Sequence, residues 1–215
     1  MKIDRNALAA CISDYTVVDR SRLDNLADLA AKVQHVYGDV VECGVARGGT
    51  AAWLYAAMKP DPTDYRHLWL YDKFDGLPEP TEPDGQRAWS YVGQNQSSIE
   101  IVHEALYLVN ADFRSVTIHK GLFDTTFHLP FGPNAIAFLH IDADWYESVY
   151  ACLTRWYDQV SEGGVVVLDD FGFWPGCRLA FARFFAERGF CPDVHRHSDQ
   201  AYWFKEPYEM TRRKA

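Results

Sequence analysis

The chain has 215 residues, 48% of them hydrophobic and 24% charged, which allows one domain with a real core. Its net charge of −9 argues against nucleic acid or an anionic membrane as the main partner. No apolar run approaches a membrane span, and Met1-Lys2-Ile3-Asp4-Arg5 lacks the apolar core of a signal peptide.

Residues 1–38 read as an N-terminal helical segment. Within it, Leu26, Leu29, Ala30, Val33 and Val36 give residues 21–37 one apolar helical face, opened by a capping box at Ser21-x-x-Asp24. A strand over Asp39–Gly44 follows, then a helix from about Gly49 to Met58, closed by Pro60. The next strand is His67–Asp72. Residues 74–96 are polar and rich in Pro, Gly and acids, too long for an ordinary connection, and are expected to form a lid-like loop. A helix begins near Ser97, with Ser97-x-x-Glu100 as its box, and strands follow at Val116–His119 and Ala135–Ile141. Val149, Cys152, Leu153, Trp156 and Val160 mark a helix over 145–160. A Gly163-Gly164 turn leads to a strand over Val165–Leu168, and a helix over Cys177–Arg188 stops at Gly189. Two strands, 193–197 and 201–204, flank Ser198-Asp199-Gln200 as an antiparallel hairpin, and 209–215 is a tail. The pattern predicts an α/β fold: a doubly wound, mostly parallel seven-stranded sheet with an antiparallel C-terminal edge hairpin, in a single domain over 39–208.

Two apolar strands end in carboxylates, Leu139-His140-Ile141-Asp142-Ala143-Asp144 and Leu168-Asp169-Asp170. One crossover helix separates them, so the strands are parallel neighbours and Asp142, Asp169 and Asp170 meet at the carboxyl edge. Open α/β sheets bind ligands at that edge. Clustered carboxylates repel unless protons or a cation intervene, and hard oxygen donors suit Mg²⁺, Mn²⁺ or Ca²⁺. The plainer alternative is a set of solvated acids capping the next helices. The turn Glu42-Cys43-Gly44-Val45-Ala46-Arg47-Gly48-Gly49-Thr50 has neither the dinucleotide Gly-x-Gly-x-x-Gly spacing nor a P-loop Lys. Its glycines suit a close ligand approach, or simply packing. Asp72 ends the second strand, where doubly wound folds place an acid that accepts from ribose hydroxyls. Glu42 either accepts from a cofactor amine or caps a turn. The five cysteines form no CxxC pair, so reduced thiols in a cytoplasmic setting are expected, without zinc or disulfides. His195 and His197 share a strand face but lack a third metal ligand, and read as surface residues.

Several blocks resemble the class I S-adenosylmethionine methyltransferases, and more narrowly the macrocin O-methyltransferases of the TylF and MycF type. They are Val41-Glu42-Cys43-Gly44-Val45 with Arg47-Gly48-Gly49, Asp72-Lys73-Phe74-Asp75-Gly76-Leu77-Pro78, and Gly121-Leu122-Phe123-Asp124-Thr125-Thr126. Ile141-Asp142-Ala143-Asp144-Trp145-Tyr146-Glu147-Ser148, and Gly163-Gly164-Val165 with Asp169-Asp170-Phe171-Gly172 and Trp174-Pro175-Gly176-Cys177-Arg178, complete the set. The resemblance implies a Rossmann-like fold and methyl transfer from S-adenosylmethionine to a sugar hydroxyl of a natural product. Gly44, Gly48, Gly49 and Thr50 would hold the methionine end, with Glu42 beside them. Asp72 would hold the ribose, and Gly121 and Leu122 would lie near the adenine. Asp142, Asp169 and Asp170 would bind Mg²⁺ or Mn²⁺, and Asp144 would be the general base, with a ligand or outer-shell role as its alternative.

A cation that binds a hydroxyl lowers its pKa and holds it in line with the methyl donor, and a nearby carboxylate takes the proton. The expected partner is a small-molecule hydroxyl acceptor, most simply a sugar, and a homodimer is compatible with the apolar N-terminal helix. A catechol- or phenol-type acceptor is the alternative. The Asp169-Asp170 pair favours sugars, because catechol enzymes generally pair Asp with Asn there.

Overall fold

The computed structural model describes residues 4–58 and 66–207. The expected stop at Pro60 and the tail over 209–215 lie outside the described residues. Seven strands form one sheet: β1 (Asp39–Cys43), β2 (Leu68–Asp72), β3 (Val116–Lys120), β4 (Ile136–Ile141), β5 (Val160–Leu168), β6 (His195–His197) and β7 (Gln200–Phe204). Their order is β3-β2-β1-β4-β5-β7-β6, parallel through β5, with β7 and β6 antiparallel at one edge. The chain reverses direction across the sheet between β1 and β4, and such a switch opens a crevice at the strands' carboxyl ends.

Helices α1 (Arg5–Ile12), α2 (Arg20–Lys32), α3 (Gly49–Met58) and α4 (Ile99–Leu108) cover one face. Helices α5 (Phe123–Thr126), α6 (Tyr146–Trp156) and α7 (Pro175–Arg188) cover the other. The α3 sequence, Gly-Thr-Ala-Ala-Trp-Leu-Tyr-Ala-Ala-Met, is apolar all round, so it needs cover on both sides. The sheet supplies one and α2, α1 and α4 supply the other, leaving Trp53 and Leu54 fully buried. β4 is buried at every position, as befits a central parallel strand. Among the described residues, no helix is long and apolar enough to cross a membrane, and all five cysteines are free.

Several boundaries differ from the sequence expectation for local reasons. α2 starts one residue earlier, because Asp19 caps it by accepting from Arg22 N at 3.1 Å. Ser21 is instead engaged with His197 Nε2 at 2.8 Å. α4 is capped by Ser98 rather than Ser97. The helix expected to reach residue 160 ends at Trp156 and tightens into a 3₁₀ turn over Tyr157–Gln159. Gly163 and Gly164 lie inside β5, within a bulge: β4 advances from Ile136 to Phe138 while β5 advances from Val160 to Val165. Pro175 opens α7 at its first turn, where a missing N–H costs nothing.

Candidate active site

Register sets the strand ends level, since Cys43 pairs with Ile141 and Ile141 with Leu168. The ladder runs one residue further: Asp142 N donates to Cys43 O at 2.8 Å, and Asp169 N to Ile141 O at 2.9 Å. Gly44 is required at this level. It has φ 86°, and a Cβ there would stand 1.8 Å from the Asp142 carbonyl oxygen. Asp72 pins the glycine turn, accepting from the N–H groups of Val45 at 2.7 Å, Ala46 at 2.8 Å and Phe74 at 2.6 Å. A carboxylate has about four acceptor sites, so Asp72 keeps capacity toward a ribose hydroxyl.

Gly44, Asp72, Gly121 and Leu122 line one cleft together with Asp142, Asp144, Asp169 and Asp170. Glu42, Gly48, Gly49 and Thr50 do not line it. Gly48 backs onto Val102, Gly49 onto the Tyr15 carbonyl, and Thr50 Oγ1 lies 3.4 Å from Thr16 Oγ1. For the two glycines the packing alternative describes the contacts observed. The cleft also gains Val17, Val18 and Arg22 from the N-terminal segment and Ser148 from α6.

Residues 74–96 contribute Gly76, Leu77, Pro78 and Asn95 to the same cleft. The segment is folded down rather than open, with short 3₁₀ turns at Glu82–Asp84 and Gln86–Tyr91. Trp145 Nε1 donates to Pro78 O at 2.8 Å. Asp84, 1% exposed, accepts from Thr81 N at 2.7 Å and from Tyr146 N at 2.6 Å. Asp84 thereby caps α6 from a distance, because the helix's own N-cap, Trp145, has no side-chain acceptor. Gly176 makes room for it, since a Cβ there would lie 1.8 Å from Asp84 Oδ1.

The carboxylates divide into two groups. Asp142, Asp144 and Asp170 each offer an oxygen, all within 4.8 Å of one another. Burial, with the neighbouring carboxylates adding to it, pushes Asp142 and Asp170 well above the ordinary range. Burial pushes Asp144 up to about 7 against the opposing hydrogen bond from Trp174. Asp144 has a left-handed backbone, φ 54°, and its N–H donates to Asp170 Oδ2 at 3.2 Å. Among the described residues, no Lys or Arg donates to this trio.

Asp169 was expected among the metal ligands, but it has a partner set of its own. It accepts from Arg22 Nη1, from Gln200 Nε2 at 2.7 Å and from His140 Nε2 at 3.4 Å. His140 Nδ1 lies 3.0 Å from Glu42 Oε1. Burial disfavours the imidazolium, yet the hydrogen bonds and charges of Asp169 and Glu42 outweigh it and raise His140 to about 10. Burial also works against the Asp169 anion, and His140 and Arg22 overcome it, so Asp169 lies below its ordinary value. Glu42 is raised, chiefly by burial, and its Oε2 has no partner among the described residues.

Two members of this chain carried no functional reading in sequence. His140 had a signal, a titratable side chain inside the apolar run Ile-Ala-Phe-Leu-His-Ile, which demands buried partners. Arg22 had none, because it meets Asp169 across 147 positions.

The strand order and the cleft at the β1/β4 switch are those of class I methyltransferases. The family model described as macrocin O-methyltransferase (TylF) matches residues 5–206. The demethyldecarbamoylnovobiocin O-methyltransferase of Streptomyces niveus is 30% identical over 204 residues, covering 88% of this chain and 75% of the relative. The 8-demethyl-8-(2,3-dimethoxy-alpha-L-rhamnosyl)-tetracenomycin-C 4′-O-methyltransferase of Streptomyces olivaceus is 31% identical, over 77% of this chain and 66% of its own length. The solved O-methyltransferase NovP superposes with a TM-score of 0.75 at 28% identity, over 90% of this chain and 83% of its own. The chain belongs to the macrocin O-methyltransferase family and is an S-adenosylmethionine-dependent O-methyltransferase.

Proposed function

We propose that this enzyme methylates a sugar hydroxyl of a glycosylated natural product and uses a divalent cation, Mg²⁺ or Mn²⁺, to do so. The observation that carries the cation is the trio Asp142, Asp144 and Asp170. Three acceptor oxygens within 4.8 Å, with no basic side chain bonded to them, fit a hard cation. The acceptor class rests on the family and on the rhamnosyl substrate named for the Streptomyces olivaceus relative.

When bound, the methionine cofactor supplies a sulfonium methyl group and the cation polarises the acceptor hydroxyl. Gly44 lets that cofactor approach the backbone, and Asp72 holds ribose hydroxyls. Gly121 and Leu122 flank the adenine. Asp142 and Asp170 hold the cation. Asp144, which lines the same cleft, takes the hydroxyl proton. With the proton taken up by Asp144, the hydroxyl oxygen would be free to accept the methyl group that the cofactor supplies, giving an ether and a thioether. Asp169 keeps Arg22 against the cleft wall instead of binding the cation. Residues 74–96, with Leu77 and Pro78 facing the cleft, exclude water from the reacting groups.

The test is transfer of label from S-adenosyl-[methyl-³H]methionine to a rhamnosyl glycoside and, in parallel, to a catechol, with and without Mg²⁺ after chelation. Mg²⁺-dependent labelling of the glycoside is expected. Labelling of the catechol alone would overturn the acceptor class, and labelling indifferent to chelation would overturn the cation.

A further inference from the structure

We propose that Trp174 is a positioning residue for methyl transfer. Its indole reserves one oxygen of Asp144 and leaves the other as the only one free to take the acceptor's proton. This rests on the reading of Asp144 as the proton acceptor.

Trp174 Nε1 donates to Asp144 Oδ1 at 2.8 Å. An indole N–H can only donate, so this contact always pairs it with a carboxylate oxygen lone pair. The terminal torsion of an Asp side chain is otherwise broad and roughly two-fold, and its two oxygens would exchange places. The backbone contributes to the same end. Asp144 sits at φ 54°, a conformation uncommon for a residue with a Cβ, fixed by the bonds from its own N–H to Asp170 Oδ2 and from Trp145 N to Ala143 O.

The indole itself cannot swing away. Trp174 is 2% exposed, and its N–H group on the main chain donates to Asp170 O at 2.9 Å. Three rings meet it edge-on: Trp145 at 4.8 Å, Tyr91 at 5.0 Å and Phe173 at 4.8 Å between centroids. Arg87, on the 74–96 segment, stacks over Phe173 at 4.5 Å and lies 5.5 Å from the Trp174 ring. The segment that covers the cleft and the group that holds the base are therefore one packed unit.

The test uses Trp174→Phe, which keeps an aromatic ring and removes the N–H. With labelled S-adenosylmethionine and a rhamnosyl glycoside, kcat should fall by about 10- to 100-fold, the scale of a misplaced reacting group. The KM for S-adenosylmethionine should stay within about two-fold, which a general loss of structure would not allow. In an Asp144→Asn background, Trp174→Phe should cost nothing further. Multiplying losses in the double variant would overturn the proposal while leaving the base role of Asp144 intact. Full activity of Asp144→Asn alone would remove both. An NMR arm needs neither an acceptor nor a folded Trp174→Phe protein. The chain has seven tryptophans, and Asp144→Ala should move one indole N–H resonance upfield and speed its exchange with solvent. Seven unmoved indole resonances would overturn the hydrogen bond and with it the proposal.

Discussion

Two sets of carboxylates meet at the carboxyl edge of this sheet, and the fold treats them oppositely. Glu42 and Asp169 are interleaved with His140 and Arg22, so each anion faces a cation in the order Glu42, His140, Asp169, Arg22. Asp142, Asp144 and Asp170 crowd together, and among the described residues no basic side chain is hydrogen-bonded to them. Glu42 and Asp169 are fully buried, whereas Asp142 and Asp144 are half-buried on the cleft wall and Asp170 is buried behind them. Hydrogen-bonded counter-charge separates the sets further: the first has it and the second does not.

The largest expected effect comes from the second set. Asp170→Ala should reduce methyl transfer by about three orders of magnitude, since it removes charge that no other group replaces. Labelled-methyl transfer reads this directly, and the variant should remain folded because the trio is a source of repulsion. The first set predicts the reverse pattern. His140→Leu leaves the buried Glu42 without a counter-charge and Asp169 with Arg22 as its one cation, and should cost about 3–5 kcal/mol in denaturant unfolding, the usual scale for breaking a buried pair. Its pH dependence carries the sign. The folded pKa of His140 is raised to about 10, so its contribution is fully present below the ordinary imidazole value and lost as pH rises through about 10. Unfolding midpoints measured from pH 6 to pH 10 should fall in the native chain, and His140→Leu should lack that part of the decline. A smaller effect tests the cover over the cleft. Asp84→Ala removes a remote cap of α6 and should cost about 1–2 kcal/mol. Proteolysis within 74–96 should speed up by more than proteolysis elsewhere.

Most of the architecture was legible because period and punctuation agreed. The alternation of apolar strands and helical stripes gave strand count, order of elements and the antiparallel edge, and the carboxylates ending β4 and β5 pointed to the site. Helix starts were legible to within a residue or two, since Asp19 caps α2 in place of Ser21 and Ser98 caps α4 in place of Ser97, whereas α2 stops at Lys32, five residues short of the expected 37, and α6 stops at Trp156, four short of 160. The division of the carboxylates was not legible. Asp169 and Asp170 are neighbours in the chain, yet successive residues of an extended chain face apart, and the partners that claim Asp169 come from α2, β4 and β7. The partner of Glu42 was not legible either, because a strand residue near the ligand edge can turn to its neighbour on the next strand, here His140. Asp84 also escaped, since a cap supplied from another segment leaves no local pattern.

The measurement closest to the central claim is thermal unfolding of the chelated protein, native and Asp142→Asn, titrated with Mg²⁺ at pH 8 and again at pH 5. The trio's raised pKa values mean that its stability contribution is present at low pH and is lost as pH rises, for Asp144 through about 7. The native chain should therefore gain stability from Mg²⁺ at pH 8, about 2.7 kcal/mol at 100 times the Kd, and gain little at pH 5. Asp142→Asn should be more stable than the native chain without the cation and should respond weakly to it. A native chain indifferent to Mg²⁺ and Mn²⁺ at pH 8, or an Asp142→Asn variant that is less stable and keeps the full response, would contradict the account.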